Sequence, residues 1–461
     1  MKKGTIIQII IIVVLIAILG AIIYFTIGKN NSEEQMTQQG LGGQMPGESS
    51  SSESVETSGA TEITESTSIT SGNYESTTAD ENALLINGDD IEVDLSNITV
   101  TKTGDSDGGD NSNFYGTNSA ILAKGGANVK ISNATITTNA NGANGVFSYG
   151  GNGGNTSNSS DGTTVTVSNS KITTTGNNAG GIMTTGGGIT YINNCDVSTS
   201  GTSSAAIRTD RGGGTVYAKS GTYNTAGSGS PIIYVTAEIE CDDIEGEATG
   251  SQMVVVEGKN TIAVNNSTLL CSGKGNRTDS SGELVDSCGI MLYQSMSGDA
   301  DTGVSKFSST NSILEINSNS SYYKTAPMFF VTNTSSEISL TNTELKYGSG
   351  LLLKIAGTDQ WGNSGSNGGE VKFNASNQKL EGNIEVDNIS TLELSLSDGS
   401  SYTGTINGDN TAKSITLKLD SSSSITLTGD TYVTTLNDED SSYSNIDFNG
   451  YKLYVNGTAI N

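Results

Sequence analysis

Residues 164–187, TVTVSNSKITTTGNNAGGIMTTGG, decide the fold. Val165, Val167 and Ile172 alternate with Thr, Ser and Lys, so two short strands each turn one face inward. Asn169 separates them, and a Gly/Asn turn leads to a third strand, IMTT, that ends in Gly186 and Gly187. The same unit precedes it as NVKISNATITTNANGANGVFSYGG (128–151) and follows it as ITYINNCDVSTSGTSSAAIRTDRGG (189–213). The turn asparagines continue as Asn97, Asn133, Asn169, Asn194, Asn266, Asn311 and Asn342, with Ser220 and Asp243 filling the longest gap. A unit of three short strands cannot bury its apolar face alone, but stacked units share one core. The pattern predicts an all-β solenoid, a parallel β-helix, with the asparagines about 4.8 Å apart wherever coils are adjacent. At that spacing they hydrogen-bond as a structural ladder rather than serve as ligands. A β-sandwich, the alternative, gives no reason for the asparagine register.

Composition narrows the function. The 461 residues carry 22 Lys+Arg against 49 Asp+Glu, a formal charge of −27, with 59 Gly, 3 Pro and no His. Without histidine there is no Ser-His-Asp triad and no histidine base or metal ligand. The acidic balance excludes a nucleic-acid partner, which needs a basic face.

Thr5 to Ile27 is almost continuously apolar and follows Lys2 and Lys3. At 1.5 Å per residue this run spans a bilayer core of about 30 Å. No small-residue cleavage site follows it, so residues 1–30 are expected to be a short cytoplasmic end and a transmembrane signal anchor, with a cleaved signal as the alternative. The rest is then extracellular, held at the cell membrane by a single pass. Residues 31–83 are rich in Ser, Thr and Glu. Between Asn30 and Thr101 there is no Lys or Arg but there are fourteen acids. This segment is expected to be a disordered linker, with the β-helix domain at 84–461. Its closing Asn449-Gly450 and Tyr451 to Val455 read as a hairpin cap over the last coil.

Aligning the third strands IRTDR, IYVTA, VVEGK and MLYQS gathers Arg208, Asp210, Arg211, Tyr234, Glu257, Lys259, Tyr293 and Gln294 on successive coils. Two of the three arginines lie here. Tyrosine faces stack on sugar rings and Arg and Glu bond hydroxyls or carboxylates, so this is the candidate ligand-binding site. The structural alternative is a salt-bridge ladder on an exposed sheet. Two Gly-rich loops, Asp105-x-Asp107-x-x-Asp110 and Asp299-x-Asp301, alternate carboxylates as calcium sites do. Of the four cysteines, Cys195 and Cys241 fall at apolar strand positions, whereas Cys271 and Cys288 bracket a loop that a disulfide could close.

The stretches GIMTTGGG, SAAIRTDRGGGTV, VVVEGKNT, LYQSMSGDAD and FNGYKLYVNGTAI resemble the right-handed parallel β-helices of the pectin-lyase-like superfamily. Within it they are most similar to uncharacterised membrane-anchored surface proteins of Gram-positive anaerobes. The resemblance covers about 84–461 and implies the fold more than the activity, since that superfamily holds lyases, hydrolases, adhesins and carbohydrate-binding proteins. Its lyases use calcium-bound carboxylates and an Arg or Lys base, and no three-aspartate cluster is evident around Arg208. The expectation is a surface rod that binds or adheres to carbohydrate, a polysaccharide or cell-wall glycan. A polysaccharide lyase or hydrolase and a purely structural rod are the alternatives.

Overall fold

The computed structural model describes residues 55–153 and 160–461. The expected membrane anchor and the first part of the expected linker lie outside them. Three parallel strand columns wind around one lumen. A 22-stranded sheet carries the first and second faces and a 12-stranded sheet the third. Each coil runs first strand, asparagine turn, second strand, Gly-rich turn, third strand. Thr164–Ser168, Lys171–Thr174 and Ile182–Thr185 form one such coil. The pairings between coils are parallel and mostly in step, as Val165↔Val129 and Ile172↔Ile136 illustrate, with a register shift between Leu351 and Leu353 where Leu351–Ile355 meets Asn383–Val386. This is a parallel β-helix, consistent with the right-handed crossover that parallel strands favour.

Alternation places Val129, Ile131, Val165, Val167, Ile136 and Ile172 in the lumen, each at most 1 % exposed. Thr174 and Thr225 occupy lumen positions at the end of the second face. There their hydroxyls donate to the carbonyls of Ala179 (2.6 Å) and Ser230 (2.5 Å), so buried threonine closes the turn that follows.

The asparagines take the turn the spacing predicts, and the side-chain ladder forms in stretches, since Asn97 Nδ2 donates instead to Thr70 O (3.2 Å) and Asn266 Nδ2 to Asp242 Oδ1 (2.7 Å). All seven hold left-handed backbone, φ 47–53°, as do Ser220 (56°) and Asp243 (59°). Asn194 Nδ2 donates to Asn169 Oδ1 (2.8 Å) and Asn342 Nδ2 to Asn311 Oδ1 (2.7 Å). Asparagine pays less than most residues for this backbone region, and in these two pairs its amide also bonds its neighbour one rung away. The residue after it forms a second ladder, with Ser170 Oγ accepting from Ala134 N (3.0 Å) and Ser312 Oγ from Ser267 N (3.0 Å).

Two boundaries differ from expectation. The helix begins inside the stretch read as linker, since Gly59–Ile63, Thr67–Ile69 and Gly72–Ser76 form three strands that pair with the coil after them. An end coil needs inward residues on one side only, so Ile63, Ile69 and Tyr74 suffice among acidic and hydroxyl residues. At the other end the hairpin turn is Asn456-Gly457 (φ 47° and 78°), which pairs Val455 antiparallel with Thr458. Asn449-Gly450 makes a similar turn, but it feeds the parallel strand Leu453–Val455.

Candidate functional site

The outward residues of the third face form one continuous column. Leu85, Leu122, Phe147, Met183, Arg208, Tyr234, Val255, Met291, Phe330 and Lys354 follow rung by rung. Insertions roof most of it. The first four pack with Tyr149, under the segment that carries the short helix Asn111–Phe114. Val255, Met291 and Phe330 pack with Cys288 and Trp361, which lie in two later loops. Arg208 and Tyr234 are the polar interruption between these two apolar blocks.

Here the gathered residues meet, in a register one step away from the expected alignment. Ile233 pairs with Val254, not Val255, so Tyr234 faces Val255. Tyr234 and Tyr293 nevertheless both donate their hydroxyls to Glu257 Oε2, Tyr293 at 3.0 Å. Arg208 reaches Asp210 Oδ2 (2.5 Å) and lies 5.2 Å from the centre of the Tyr234 ring. Arg211 binds Asp299 (2.5 Å) and lies 4.0 Å from the centre of the Phe114 ring. Gln294 is buried and donates to Ala300 O (3.1 Å). Lys259 does not join. Its side chain is exposed, and only its backbone N–H is engaged, by Asp301 O (2.7 Å).

The cluster is therefore an enclosed network, not the exposed charged sheet that the alternation suggested. Asp210 and Glu257 are 2 % and 3 % exposed. Burial pushes the Glu257 carboxyl above the usual carboxylate range, against the pull of hydrogen bonds from Ser295, Tyr234 and Tyr293. Burial likewise raises Asp210, opposed by the Arg208 charge. Burial would lower Arg208, but Asp210 holds it above its ordinary value, which makes it a poor base. Burial, with the Glu257 charge, holds both tyrosines far up. Each guanidinium already has a carboxylate that balances its charge, while the buried Nε of Arg208 has no hydrogen-bond partner.

The calcium candidates do not converge. Asp105 accepts from Asn141 N (2.7 Å), the backbone N–H of Asp107 donates to Asp80 (3.2 Å), and Asp110 begins the short helix. Asp299 is taken by Arg211, and Asp301 contributes its carbonyl to Lys259. Among the described residues no group of three or more acidic or thiol side chains is placed to hold a metal. Cys271 and Cys288 are free buried thiols rather than a disulfide, because Cys271 points into the lumen while Cys288 packs on the outside of the third face.

An open groove of about 970 Å³ lies elsewhere, on the second face. Glu344–Lys346 pairs with the coil before it and Lys379–Glu381 with the coil after it, yet no pairing joins the two. The first and third faces of the same two coils stay paired, through Ser335–Thr341 with Glu370–Ser376 and Leu351–Ile355 with Asn383–Val386. Two side chains bridge the split. Gln378 stands where Ser170 and Ser312 stand in other coils. Its longer amide accepts from Thr343 N (2.8 Å) and donates to Thr343 O (2.6 Å). At the other end the Tyr347 hydroxyl donates to Glu381 O, and a side chain in place of Gly382 would strike that hydroxyl. Asn342, Asn377, Ser401 and Thr403 also line it. Sequence reasoning missed this groove. Its signal was Gln378 in a serine position and Tyr347 in the rung that Ile316 occupies one coil earlier.

No family model matches the chain, and no curated protein matches it. Among solved structures it is similar to a chain in the cryo-EM structure of the Vag8–C1 inhibitor complex, with TM-score 0.40 and 15 % identity over 83 % of this chain and 100 % of that one.

Proposed function

We propose that the protein is a surface-displayed β-helix that binds carbohydrate, held at the membrane by its N-terminal apolar run. The supporting observation is the second-face groove, a concave opening of ligand-binding size lined by amides, hydroxyls, a tyrosine and the ionic side chains Glu344, Lys379 and Glu381, groups that recognise sugar hydroxyls and ring faces. The pairing of both third-face arginines argues for a structural role there and moves the expected binding site to the groove. The fragment 55–461 applied to a glycan array tests the reading. Saturable binding to at least one glycan is expected. A folded fragment that binds none would refute it, and release of unsaturated sugar products would favour the lyase alternative.

A further inference from the structure

We infer that the ligand of the second-face groove is an uncharged glycan, selected by the wedge that Gln378 and Tyr347 form between two coils. The inference rests on the carbohydrate-binding reading and deepens it. The groove wall carries no excess of positive charge. The ionic groups on the groove wall are Glu344, Lys379 and Glu381, and each is matched within the protein. Lys379 meets Glu381 at 2.5 Å and Lys346 meets Glu344 at 3.4 Å. No unbalanced cation remains on the wall to receive a carboxylate or sulfate, and the protein's net charge of −27 repels one. What the wall offers instead are neutral groups, the amide of Asn377, the side-chain carbonyl oxygen of Asn342, whose Nδ2 is held by Asn311, and the hydroxyls of Ser401 and Thr403.

Gln378 and Tyr347 form the wedge. Thr343 turns both its backbone N–H and C=O to Gln378, and Glu381 turns its carbonyl to Tyr347. Backbone groups that a ladder would engage are thus satisfied by side chains, and the slot stays open without a neighbouring strand. Leu345 is half-buried at its floor and supplies an apolar patch beside the polar rim. Polar edges around a small apolar floor suit a neutral sugar ring, with its hydroxyl rim and C–H face.

The test is titration calorimetry of the fragment 55–461 with two probe sets, neutral gluco-, manno- and galacto-hexaoses and hexagalacturonate. Binding of a neutral hexaose that persists in about 0.5 M salt is expected. Gln378→Ser should weaken it by at least about tenfold by letting the slot close. Thr403→Trp, a change at a half-exposed wall residue, should block it without touching the core. Tighter binding of hexagalacturonate that salt abolishes would overturn the inference while leaving the carbohydrate reading in place. Neutral binding unchanged in a folded Thr403→Trp variant would also overturn it. Failure of every probe here and of every glycan on the array would remove the reading itself.

Discussion

At the scale of single residues, the third-face network turns on what is buried. Asp210 is almost wholly enclosed and its charge is met by Arg208. Removing one partner of a buried pair strands the other, at a cost of about 3 kcal/mol or more. Arg208→Ala should therefore lower unfolding free energy by about that amount, read by urea denaturation, whereas Arg211→Ala, whose pair is more exposed, should cost less. Glu257 gives a pH signature. Its carboxyl, enclosed by Tyr234, Tyr293 and Ser295 and near Asp210, is raised in the fold. Between its unfolded value of about 4.3 and its folded value, the native state binds a proton that the unfolded chain has lost, so stability falls as pH rises through that window. Above it the full cost is present. Glu257→Gln should therefore raise Tm relative to the wild type more at about pH 7.5 than at about pH 4, and an equal difference at both would contradict the buried-charge account.

Among the structural elements, the asparagine ladder was legible because one residue type answers two demands at once, left-handed backbone and an amide at rung spacing. The register of the third face was not fully legible. Val254, Val255 and Val256 are interchangeable to an alternation argument, so a slip of one residue leaves no mark in the sequence. The roofing of that face was also hidden, since it depends on Phe114 and Trp361 arriving from insertions far along the chain. The groove was illegible for a further reason. It depends on the length of Gln378 and the bulk of Tyr347 at positions whose neighbours follow the repeat. One element prediction follows from close packing at the turns. A Cβ added at Gly201 would lie 1.7 Å from the Gly176 carbonyl oxygen, and one at Gly227 the same distance from Gly201 O. Gly201→Ala must push coils apart and should destabilise by several kcal/mol, roughly the upper end for point changes. A loss below about 1 kcal/mol in thermal or urea unfolding would contradict the stacking.

For the whole molecule, a solenoid's stability is close to a sum over coils and their interfaces, and its ends need covering. The sequence places the domain start at 84, among apolar strands. The structure places it one coil earlier, because a coil of Thr, Ser and Glu with few inward apolar residues reads as solvated chain until it is seen capping the next. A fragment beginning at Leu84 should thus expose the open edge of residues 84–87, cut short at its start, and of the strands Glu92–Ser96 and Ile98–Lys102 in the same coil. It should melt lower and self-associate more than a fragment beginning at Val55, as differential scanning calorimetry and light scattering would report. Equal behaviour of the two would return residues 55–83 to the spacer.

The central claim is that ligand enters the split second face and not the arginine network of the third. Hydrogen–deuterium exchange of the fragment 55–461, with and without a bound glycan identified by the array, tests it most directly. The account predicts added protection over 342–347 and 377–404, with exchange at 207–211, 234, 257 and 293–301 unchanged. Protection confined to the latter segments would contradict it.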